Sequence, residues 1–323
     1  MKHFLSCDWG TTALRMRLLS LPDLRVIAQA ESQTSMVTVF SEWKASGKEE
    51  ASRVGFYCAY LTAAIAKIEK QIGQTLNGVP VVLSGMASSS LGMKEVDYLT
   101  LPFDSRNVML KYEKLSKTEA FAHDLLLISG LCSEEDIMRG EETQMEGVLA
   151  AYDPSTDPVY MIFPGTHSKH VKIVDCVATD IKTYMTGEVF SLLVKRSSLS
   201  NTLEAGGDLE RPTNRKAFLN GVDKGMSEPF LHGAFTARIN HLLRNTDRQA
   251  NYFFLSGVLI GSELKSLASE NDRLIYIVGE DTLNTAYELA LEHLGFENII
   301  LRDGAEALSI GQFIVGQQAR FLG

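Results

Sequence analysis

Two stretches of the chain repeat one pattern, and this repeat constrains the fold more than any other feature. Residues 4–18 (FLSCDWGTTALRMRL) and 160–174 (YMIFPGTHSKHVKIV) each begin with an apolar run, pass a Gly-Thr pair and continue with alternating apolar and polar residues. Each copy predicts a buried strand, a turn and a half-buried strand. Gly10 and Gly165 are 155 residues apart in a chain of 323, which predicts two similar halves. Chance is the alternative, because Gly-Thr turns between strands are common.

The rest of the chain predicts an α/β arrangement. Apolar runs bounded by turn residues predict further strands at 26–30, 79–83, 125–128, 253–255, 273–278 and 298–301. Apolar residues at helical spacing predict helices at 57–72, 142–152, 185–196, 214–245, 282–294 and from 304 onward. The run 253–255 is expected to pass through Ser256-Gly257 into a helix that ends near residue 268.

Length and composition predict a globular protein of two domains. The 323 residues, 45% of them hydrophobic, favour a domain of residues 1–155 and another of residues 156–323, with a last helix able to return to the first. No run of 18 apolar residues exists, and the start MKHFLSCD is too short in apolar residues for a signal peptide.

Cysteine spacing and charge limit the compartment and the partners. The four cysteines show no paired spacing, which argues against a zinc site or a disulfide framework and indicates a reducing cytoplasm. The net charge is -9 and the basic residues form no dense block. We therefore expect neither nucleic acid nor an anionic membrane as a partner.

The first candidate site is the turn at residues 8–12 (DWGTT). Backbone N–H groups at a glycine turn can bind phosphate oxygens because no side chain stands in the way. Asp8 could hold Mg²⁺ through water, and the hydroxyls of Thr11 and Thr12 add donors. A plain hairpin turn is the alternative. The second copy of the pattern favours the phosphate site around Gly10.

The second candidate site is the turn at residues 164–169 (PGTHSK), which we expect to face the first turn and bind the γ-phosphoryl group. Its donors are Gly165, Thr166, Ser168 and Lys169. His167 and His170 lie three residues apart without a nearby acid or cysteine in sequence. This spacing is more typical of a strand edge than of a metal site.

The third candidate site is residues 139–147 (RGEETQMEG), where two acids follow a glycine at a helix start. One carboxylate could accept the proton of an attacking hydroxyl. Simple capping of the helix is the alternative, because acids complement the helix dipole there. The position of Glu141 and Glu142 shortly before the second turn favours the catalytic interpretation.

A fourth site is predicted at residues 253–261, where a strand would end in Ser256-Gly257 at a helix N-terminus. Such a terminus could seat adenosine or its α-phosphate, and a plain strand–helix turn is the alternative.

A fifth motif at residues 303–311 carries small residues at helical spacing. Small residues allow close contact between helices, as a hinge between two lobes needs. Ordinary tight packing is the alternative.

In this order, the five motifs resemble those of the acetate and sugar kinase/Hsp70/actin superfamily: first phosphate loop, first connector, second phosphate loop, adenosine loop and second connector. More specifically, the chain resembles the 2-keto-3-deoxygalactonate kinases. The strings that carry this resemblance span nearly the whole chain and are 8–15 (DWGTTALR), 85–86 (GM), 138–144 (MRGEETQ), 164–169 (PGTHSK), 185–188 (MTGE) and 255–261 (LSGVLIG). The strings RGEETQ and PGTH are specific, whereas the glycine turns alone are not.

The resemblance implies a two-lobed α/β fold of the actin/hexokinase type, in which each lobe has a mixed sheet that starts in a phosphate-binding hairpin. The nucleotide would lie in the cleft between the lobes. The family resemblance also implies that ATP with Mg²⁺ phosphorylates the 6-hydroxyl of 2-keto-3-deoxygalactonate, in galactonate or galactose breakdown. Glu141 or Glu142 would be the base. Glu141 is favoured because it matches the aspartate after glycine in the first connector of related sugar kinases.

The resemblance implies roles for the other residues as well. They are Asp8 for Mg²⁺; Gly10, Thr11, Thr12, Gly165, Thr166, Ser168 and Lys169 for phosphates; Ser256, Gly257, Gly261 and Gly304 for adenosine; and Arg15, Gly85, Met86, Arg139 and Gln144 for the sugar acid. Of the last group, Arg15 and Arg139 are the candidates for the carboxylate of the substrate.

Two departures from the family pattern leave alternatives open. After Gly85-Met86 the family usually has Gly-Ser and later Gly-Trp, where this chain has residues 87–93 (ASSSLGM), so a related sugar acid such as 2-keto-3-deoxygluconate is a second candidate substrate. The second loop usually continues into Trp, where this chain has His170. An actin-like nucleotide-binding module without transferase activity is the alternative from another class, and Lys169 and the paired acids argue against it. The oligomeric state is open, with a homodimer as one candidate.

Overall fold

The computed structural model describes residues 2–152 and 157–323. The chain forms two compact units. Unit 1 comprises Met1–Ser155, Val174–Ile181 and Gly304–Gly323, and unit 2 comprises Thr156–Ile173 and Lys182–Asp303. The predicted division between residues 155 and 156 lies outside the described residues and stays a prediction.

Groups of strands and groups of helices follow one another along the described chain. The strands are β1 His3–Trp9, β2 Leu14–Ser20, β3 Val26–Ser32, β4 Val81–Gly85, β5 Leu99–Thr100, β6 Phe103–Asp104, β7 Tyr112–Leu115, β8 Leu125–Ile128, β9 Leu131–Cys132, β10 Ile137–Met138, β11 Val159–Phe163, β12 Ser168–Val174, β13 Val177–Tyr184, β14 Leu274–Gly279 and β15 Ile299–Asp303. The helices are α1 Met36–Ala45, α2 Arg53–Ile72, α3 Glu141–Leu149, α4 Thr186–Arg196, α5 Pro212–Ser227, α6 Phe230–Arg244, α7 Arg248–Leu264, α8 Asp281–His293 and α9 Gly304–Gln318.

The main sheet of unit 1 has the strand order β3-β2-β1-β4-β8-β7. Strand β1 pairs antiparallel with β2, where Cys7 faces Met16, and parallel with β4, where Cys7 faces Leu83. Strand β4 runs parallel to β8. The three parallel strands β1, β4 and β8 are mostly buried on both faces, so their sequences are apolar runs rather than alternating ones. Their carboxyl ends lie at one edge of the sheet, which is where the candidate site begins.

Helix α2 supplies much of the apolar core of unit 1. Tyr57, Leu61, Ile65 and Ile68 are buried at helical spacing and form one cluster with Trp9. The predicted helix at 57–72 is therefore confirmed, with one further turn at its N-terminus.

Helices α3 and α9 of unit 1 cross at very short range. A Cβ atom on Gly147 would lie 1.9 Å from the carbonyl oxygen of Ala307, and one on Gly311 would lie 1.8 Å from that of Thr143. Helix α9 also reaches the sheet, because the Nε2 of Gln312 donates to the carbonyl oxygen of Cys7 at 3.0 Å. The small residues of the fifth motif thus pack one helix directly on the backbone of another.

The sheet of unit 2 repeats the arrangement of unit 1. Strand β11 pairs antiparallel with β12, where Ile162 faces His170, and parallel with β14, which runs parallel to β15. The order β12-β11-β14-β15 thus matches the order β2-β1-β4-β8. The sequence repeat corresponds to the same hairpin and the same parallel neighbours in each unit. In unit 1, the beginning of β13 pairs antiparallel with β6.

Helices α5 and α7 of unit 2 also cross through glycines. A Cβ atom on Gly257 would lie 2.0 Å from the carbonyl oxygen of Phe218, and one on Gly261 would lie 2.3 Å from that of Val222. The predicted strand at 253–255 is wrong, because these residues lie within α7. Their apolar run reflects a helix buried on most of its surface, which a short window cannot distinguish from a buried strand.

The described helices include none that is long and apolar enough to span a membrane.

Candidate active site

The end of strand β1 places Asp8 beside the first Gly-Thr turn. The backbone N–H of Gly10 closes this turn on the carbonyl oxygen of Ala13 at 2.9 Å. The carboxylate of Asp8 lies 3.9 Å from the guanidinium of Arg15, whose Nε is 3.4 Å from Glu31. The side chain of Arg15 is 43% exposed and is therefore accessible. It is also paired with two acids, Asp8 and Glu31.

Glycines at the ends of β4 and β10 let three chain segments meet next to Asp8. Gly85 has a φ of +85°, and a Cβ atom there would lie 2.9 Å from the carbonyl oxygen of Trp9 and 3.3 Å from Asp8 Oδ1. Gly140 has a φ of +114°, and its Cβ would lie 3.3 Å from the Cα of Gly85. L-residues rarely adopt these backbone angles, and the close approach excludes a side chain as well. Helix α3 consequently begins at the edge of the sheet that carries Asp8.

Glu142, the second acid of α3, is fully buried. Its Oε2 accepts a hydrogen bond from the backbone N–H of Gly140 at 2.7 Å, and its Oε1 accepts one from Thr143 Oγ1 at 3.1 Å. Burial first, and the neighbouring carboxylate of Glu141 second, raise the pKa of Glu142 from 4.5 to about 8, although these hydrogen bonds oppose the rise. The side chain is mainly uncharged at pH 7 and caps the start of α3.

Glu141, the first acid of α3, is only half-buried. Its Oε2 accepts a hydrogen bond from the backbone N–H of Arg139 at 3.2 Å. The two adjacent acids therefore differ in access: Glu141 is reachable from solvent, whereas Glu142 is enclosed by the protein.

Glu146, one helical turn after Glu142, is a buried acid that the sequence motif contained but did not single out. It is 5% exposed, and its Oε1 has no hydrogen-bond partner among the described residues. Burial raises its pKa from 4.5 to about 8. The spacing of four residues, which places Glu142 and Glu146 on one face of α3, was the signal for this second buried carboxyl group.

The guanidinium group of Arg139 donates hydrogen bonds to other residues of the chain. Its Nη1 donates to the backbone and hydroxyl oxygens of Ser88 at 2.8 and 2.6 Å, and its Nη2 donates to the carbonyl oxygen of Val96 at 3.1 Å. The guanidinium carbon also lies 4.1 Å from the ring centroid of Tyr98. Arg139 thus holds both ends of the segment from 88 to 96, next to the predicted substrate residues Gly85 and Met86. Gln144 is engaged as well, because its Nε2 donates to the carbonyl oxygen of Gly304.

The second Gly-Thr turn lies between β11 and β12. A Cβ atom added to Gly165 would have no atom of the described residues within 4 Å, and Thr166 is exposed. Ser168 is fully buried and its hydroxyl donates to Glu263 at 2.7 Å. Lys169 is 6% exposed and its Nζ donates to the carbonyl oxygen of His167 at 2.7 Å. The turn itself is open, whereas the side chains that follow it are turned into unit 2.

The N-terminus of α4, where the sequence reads MTGE, contacts this second turn. The backbone N–H of Glu188 donates to the carbonyl oxygen of Thr166 at 2.9 Å, and its carboxylate lies 2.6 Å from Nε2 of His167. A Cβ atom on Gly187 would lie 2.4 Å from the carbonyl oxygen of Gly165. The resemblance drew attention to this string, but its contact with the turn could not be read from the sequence.

The residues predicted to bind adenosine are placed differently from expectation. Ser256, Gly257 and Gly261 lie in the middle of α7 rather than at a helix N-terminus, and the two glycines face α5. Gly304 begins α9, which belongs to unit 1. The strand–helix turn that supported the adenosine prediction is absent from this part of the described chain.

Comparison with known proteins identifies the family. The family model described as 2-keto-3-deoxy-galactonokinase matches residues 8–314. The chain belongs to this family.

Two relatives whose names agree with this family match the chain over most of their length. A 2-dehydro-3-deoxygalactonokinase of Escherichia coli is 28% identical over 300 residues, which is 91% of this chain and 90% of that protein. A Rhizobium meliloti protein named as a probable 2-dehydro-3-deoxygalactonokinase is 27% identical over 317 residues, 96% of this chain and 95% of that one.

Solved structures agree on the fold. A Sinorhizobium meliloti protein assigned to the 2-dehydro-3-deoxygalactonokinases superposes with a TM-score of 0.81 at 27% identity, covering 98% of this chain and 96% of that chain. Component A of the (R)-2-hydroxyglutaryl-CoA dehydratase of Acidaminococcus fermentans gives a TM-score of 0.51 at 14% identity, covering 99% and 100%. The chain therefore has the actin-like ATPase fold that sugar kinases share, and the kinase family implies the use of ATP.

The family reaction raises the question of a magnesium site at Asp8. Among the described residues, no three His, Cys, Asp or Glu side chains are grouped to hold a metal ion. Mg²⁺ is commonly bound by one or two carboxylates, with water and substrate phosphates supplying the other oxygens. A carboxylate that is 34% exposed at the end of β1 fits this mode of binding.

Proposed function

We propose that the protein is an ATP-dependent kinase that phosphorylates 2-keto-3-deoxygalactonate on its 6-hydroxyl, in the breakdown of galactonate. The family match over residues 8–314 supports the reaction. The position of Glu141 supports the mechanism most directly, because this accessible acid starts α3 at the sheet edge that also carries Asp8. The absence of disulfides among the four cysteines agrees with the cytoplasm as the compartment of this reaction.

Glu141 is the proposed general base. A base has to reach the hydroxyl that it deprotonates and has to be ionised at the working pH. Glu142 meets neither condition, since it is 0% exposed and its pKa is raised to about 8. Glu141 is half-buried, so its carboxylate can accept the proton of the 6-hydroxyl as that oxygen attacks the γ-phosphorus.

The two Gly-Thr turns are the proposed phosphate sites. Neither Gly10 nor Gly165 has a positive φ, and an added Cβ would contact no atom of the described residues closer than 3.8 Å. Packing within the protein therefore does not require glycine at either position, which supports a role in close approach of a ligand to the backbone. Thr11, Thr12 and Thr166 can add hydroxyl donors. When bound at Asp8, Mg²⁺ would neutralise charge on the phosphates.

Arg15 is the proposed partner of the substrate carboxylate. Arg139 is less suited, because both of its Nη atoms donate to Ser88 or Val96. The Arg15 guanidinium is more accessible, and a substrate carboxylate could compete with Glu31 for it. Arg139 is assigned instead to holding the segment from 88 to 96.

A kinase assay with two single variants tests this mechanism. Glu141→Gln should lower kcat by about 100-fold to 10,000-fold, because the amide cannot accept a proton. Glu142→Gln preserves the shape of the buried carboxyl group and should retain most of the wild-type kcat. ADP release with 2-keto-3-deoxygalactonate and Mg-ATP is the measurement. Full activity in Glu141→Gln would show that the base has been assigned wrongly.

2-Keto-3-deoxygluconate is a second candidate substrate, because residues 87–93 differ from the sequence that the family usually has after Gly85-Met86. Ser88 and Ser89 in this segment are buried, and Arg139 binds the first of them. A segment held so firmly beside Gly85 can select between two epimers by the position of one hydroxyl group. Parallel kcat/KM measurements on the two sugar acids decide between them.

A further inference from the structure

Glu263 is a buried, chemically capable side chain that the proposed reaction does not use. It lies near the end of α7 in unit 2, is 3% exposed and accepts hydrogen bonds from four side chains. The donors to Oε1 are Ser168 Oγ at 2.7 Å and His170 Nε2 at 2.8 Å, and the donors to Oε2 are Tyr287 OH at 2.8 Å and Thr186 Oγ1. Each carboxylate oxygen therefore has two donors.

The four donors come from three different elements. Ser168 and His170 are the first and third residues of β12, directly after the second Gly-Thr turn. Thr186 is the first residue of α4, and Tyr287 lies in α8. One carboxylate thus ties the exit of the turn, the N-terminus of α4 and helix α8 to α7.

Glu263 is held in its charged form. Burial alone would raise its pKa, but hydrogen bonds and charge from His170, together with the hydroxyls of Thr186 and Ser168, outweigh burial and lower it. A charged acceptor with four donors makes stronger hydrogen bonds than a neutral one. These hydrogen bonds therefore fix the positions of Ser168 and Thr186, which adjoin the second Gly-Thr turn.

The hydroxyl of Ser168 has no hydrogen left for a phosphate group. A serine hydroxyl has one hydrogen, and that of Ser168 is donated to Glu263. The side chain is also fully buried, so a ligand on the surface of the turn cannot reach it without displacing protein atoms. The hydroxyl of Thr186 donates to the same carboxylate.

Thr186 links the carboxylate to the turn by a second route. The residues that follow it touch the turn, since Gly187 lies against the carbonyl oxygen of Gly165 and Glu188 donates its backbone N–H to that of Thr166. The position of Thr186 therefore sets where the start of α4 supports the turn.

We infer that Glu263 is a positioning residue for the second Gly-Thr turn, acting on ATP through Ser168 and Thr186, and that Ser168 supports the turn rather than binding phosphate. This inference rests on the proposed function, according to which the second Gly-Thr turn binds the phosphates of ATP. It assigns a role to a residue 95 positions away from Ser168 in the chain.

The first test is Glu263→Gln, which keeps the shape and replaces one acceptor oxygen by an N–H₂ group facing existing donors. The dissociation constant of Mg-AMP-PNP, measured by calorimetry, should rise roughly tenfold or more. The KM for ATP should rise likewise, whereas the KM for the sugar acid should stay within about twofold. Ser262→Ala is the matched control on the same helix. Among the described residues, the hydroxyl of Ser262 donates to the backbone oxygens of Val258 and Gly225 alone, so this variant should leave both constants unchanged.

A double-mutant cycle tests the route through Ser168. If Ser168 acts through Glu263, Ser168→Ala should weaken nucleotide binding in the wild type but add little in the Glu263→Gln background. Full additivity of the two effects would mean that Ser168 contacts the phosphate itself and would overturn the inference. A lower melting temperature in Glu263→Gln with unchanged nucleotide binding would overturn it too.

Two further variants keep the test decisive. Tyr287→Phe removes the donor that lies farthest from the turn in chain order and should lower stability with little change in nucleotide affinity. Thr186→Val keeps the branched shape and should weaken Mg-AMP-PNP binding even if Glu263→Gln does not fold. Unchanged binding in Thr186→Val would contradict the inference.

The binding series also separates this inference from the proposed function. Mg-AMP-PNP binding needs no sugar acid, so a wild-type protein that binds the analogue but phosphorylates neither sugar acid refutes the proposed substrate alone. A wild-type protein that binds no nucleotide overturns both proposals.

Discussion

The buried acid Glu146 predicts a measurable loss of stability as the pH rises. Its carboxyl group is 5% exposed, and burial raises its pKa from 4.5 to about 8. A raised pKa means that the folded protein keeps a proton that the unfolded chain has released. The stabilising contribution is complete below pH 4.5 and is lost as the pH approaches 8.

The magnitude follows from these two pKa values. Between them, unfolding releases one proton from Glu146, so each pH unit lowers the free energy of unfolding by about 1.4 kcal/mol. From pH 5.5 to pH 7.5, the side chain should thus contribute a loss of about 2–3 kcal/mol. Glu142 has a similarly raised pKa and should add a comparable loss in the wild type.

The perturbation is Glu146→Gln, which cannot titrate. The variant should lose about 2–3 kcal/mol less than the wild type over the same two pH units. The amide leaves a buried polar atom without a partner, at a cost of about 1–3 kcal/mol. That cost is the same at each pH, so it shifts the curve without changing its slope.

Urea unfolding at pH 5.5, 6.5 and 7.5 is the assay, followed by tryptophan fluorescence. The two tryptophans of the chain, Trp9 and Trp43, are both buried in the core of unit 1. Glu146 belongs to the same unit, so their fluorescence reports on the unfolding of the unit that contains it. The exposed acid Glu119 provides a control, since Glu119→Gln should give a curve parallel to that of the wild type. A Glu146→Gln curve parallel to the wild type would refute the raised pKa.

Four further variants, three of glycines and one of Arg139, have predicted outcomes. Gly165→Ala should leave the melting temperature unchanged, because an added Cβ meets nothing within 4 Å, and should raise the KM for ATP about tenfold; an unchanged KM would contradict a phosphate site at this turn. Gly311→Ala should destabilise unit 1 by about 3 kcal/mol, since its Cβ would lie 1.8 Å from a carbonyl oxygen. In the same urea assay Gly55→Ala, at an open position of α2, should instead stabilise by about 0.5–1 kcal/mol. Arg139→Lys should raise the KM for the sugar acid about tenfold and spare that for ATP, because lysine cannot bind Ser88 and Val96 together.

Local signals predicted the parallel strands of the two six-stranded sheets, but not β7 or β13. The predicted strand at 125–128 coincides with β8, and the apolar run that opens the second repeat at residue 160 lies in β11, because each is a short apolar run bounded by turn residues. The two hairpins were predicted from the alternation that follows each Gly-Thr pair. Two-residue strands such as β5 and β9 carry no periodic signal, so the sequence did not indicate them.

Contacts between distant residues account for what the sequence could not predict. Ser168 has the composition of a phosphate ligand, but its hydroxyl is used by Glu263, which is 95 residues away. Arg139 has the charge for a substrate carboxylate, but its partners Ser88 and Val96 are 51 and 43 residues away. In α7, the apolar run 253–255 was interpreted as a strand, because its burial depends on α5, which packs on Gly257 and Gly261 further along the helix. The chemistry of a side chain is local, whereas its availability depends on the whole fold.

Unit 1 is the first unit to be synthesised but the last to be completed, because it includes helix α9 at the end of the chain. Gln312 donates to the carbonyl oxygen of Cys7, 305 residues earlier in the chain. A ribosome adds about 5–20 residues per second, so Gln312 is synthesised on the order of 15–60 s after β1. Until then, the surface of α3 around Thr143 and Gly147 lacks the helix that later covers it. The unit that begins first is the last to be finished, and a chain that stalls before residue 304 presents this surface to chaperones and proteases.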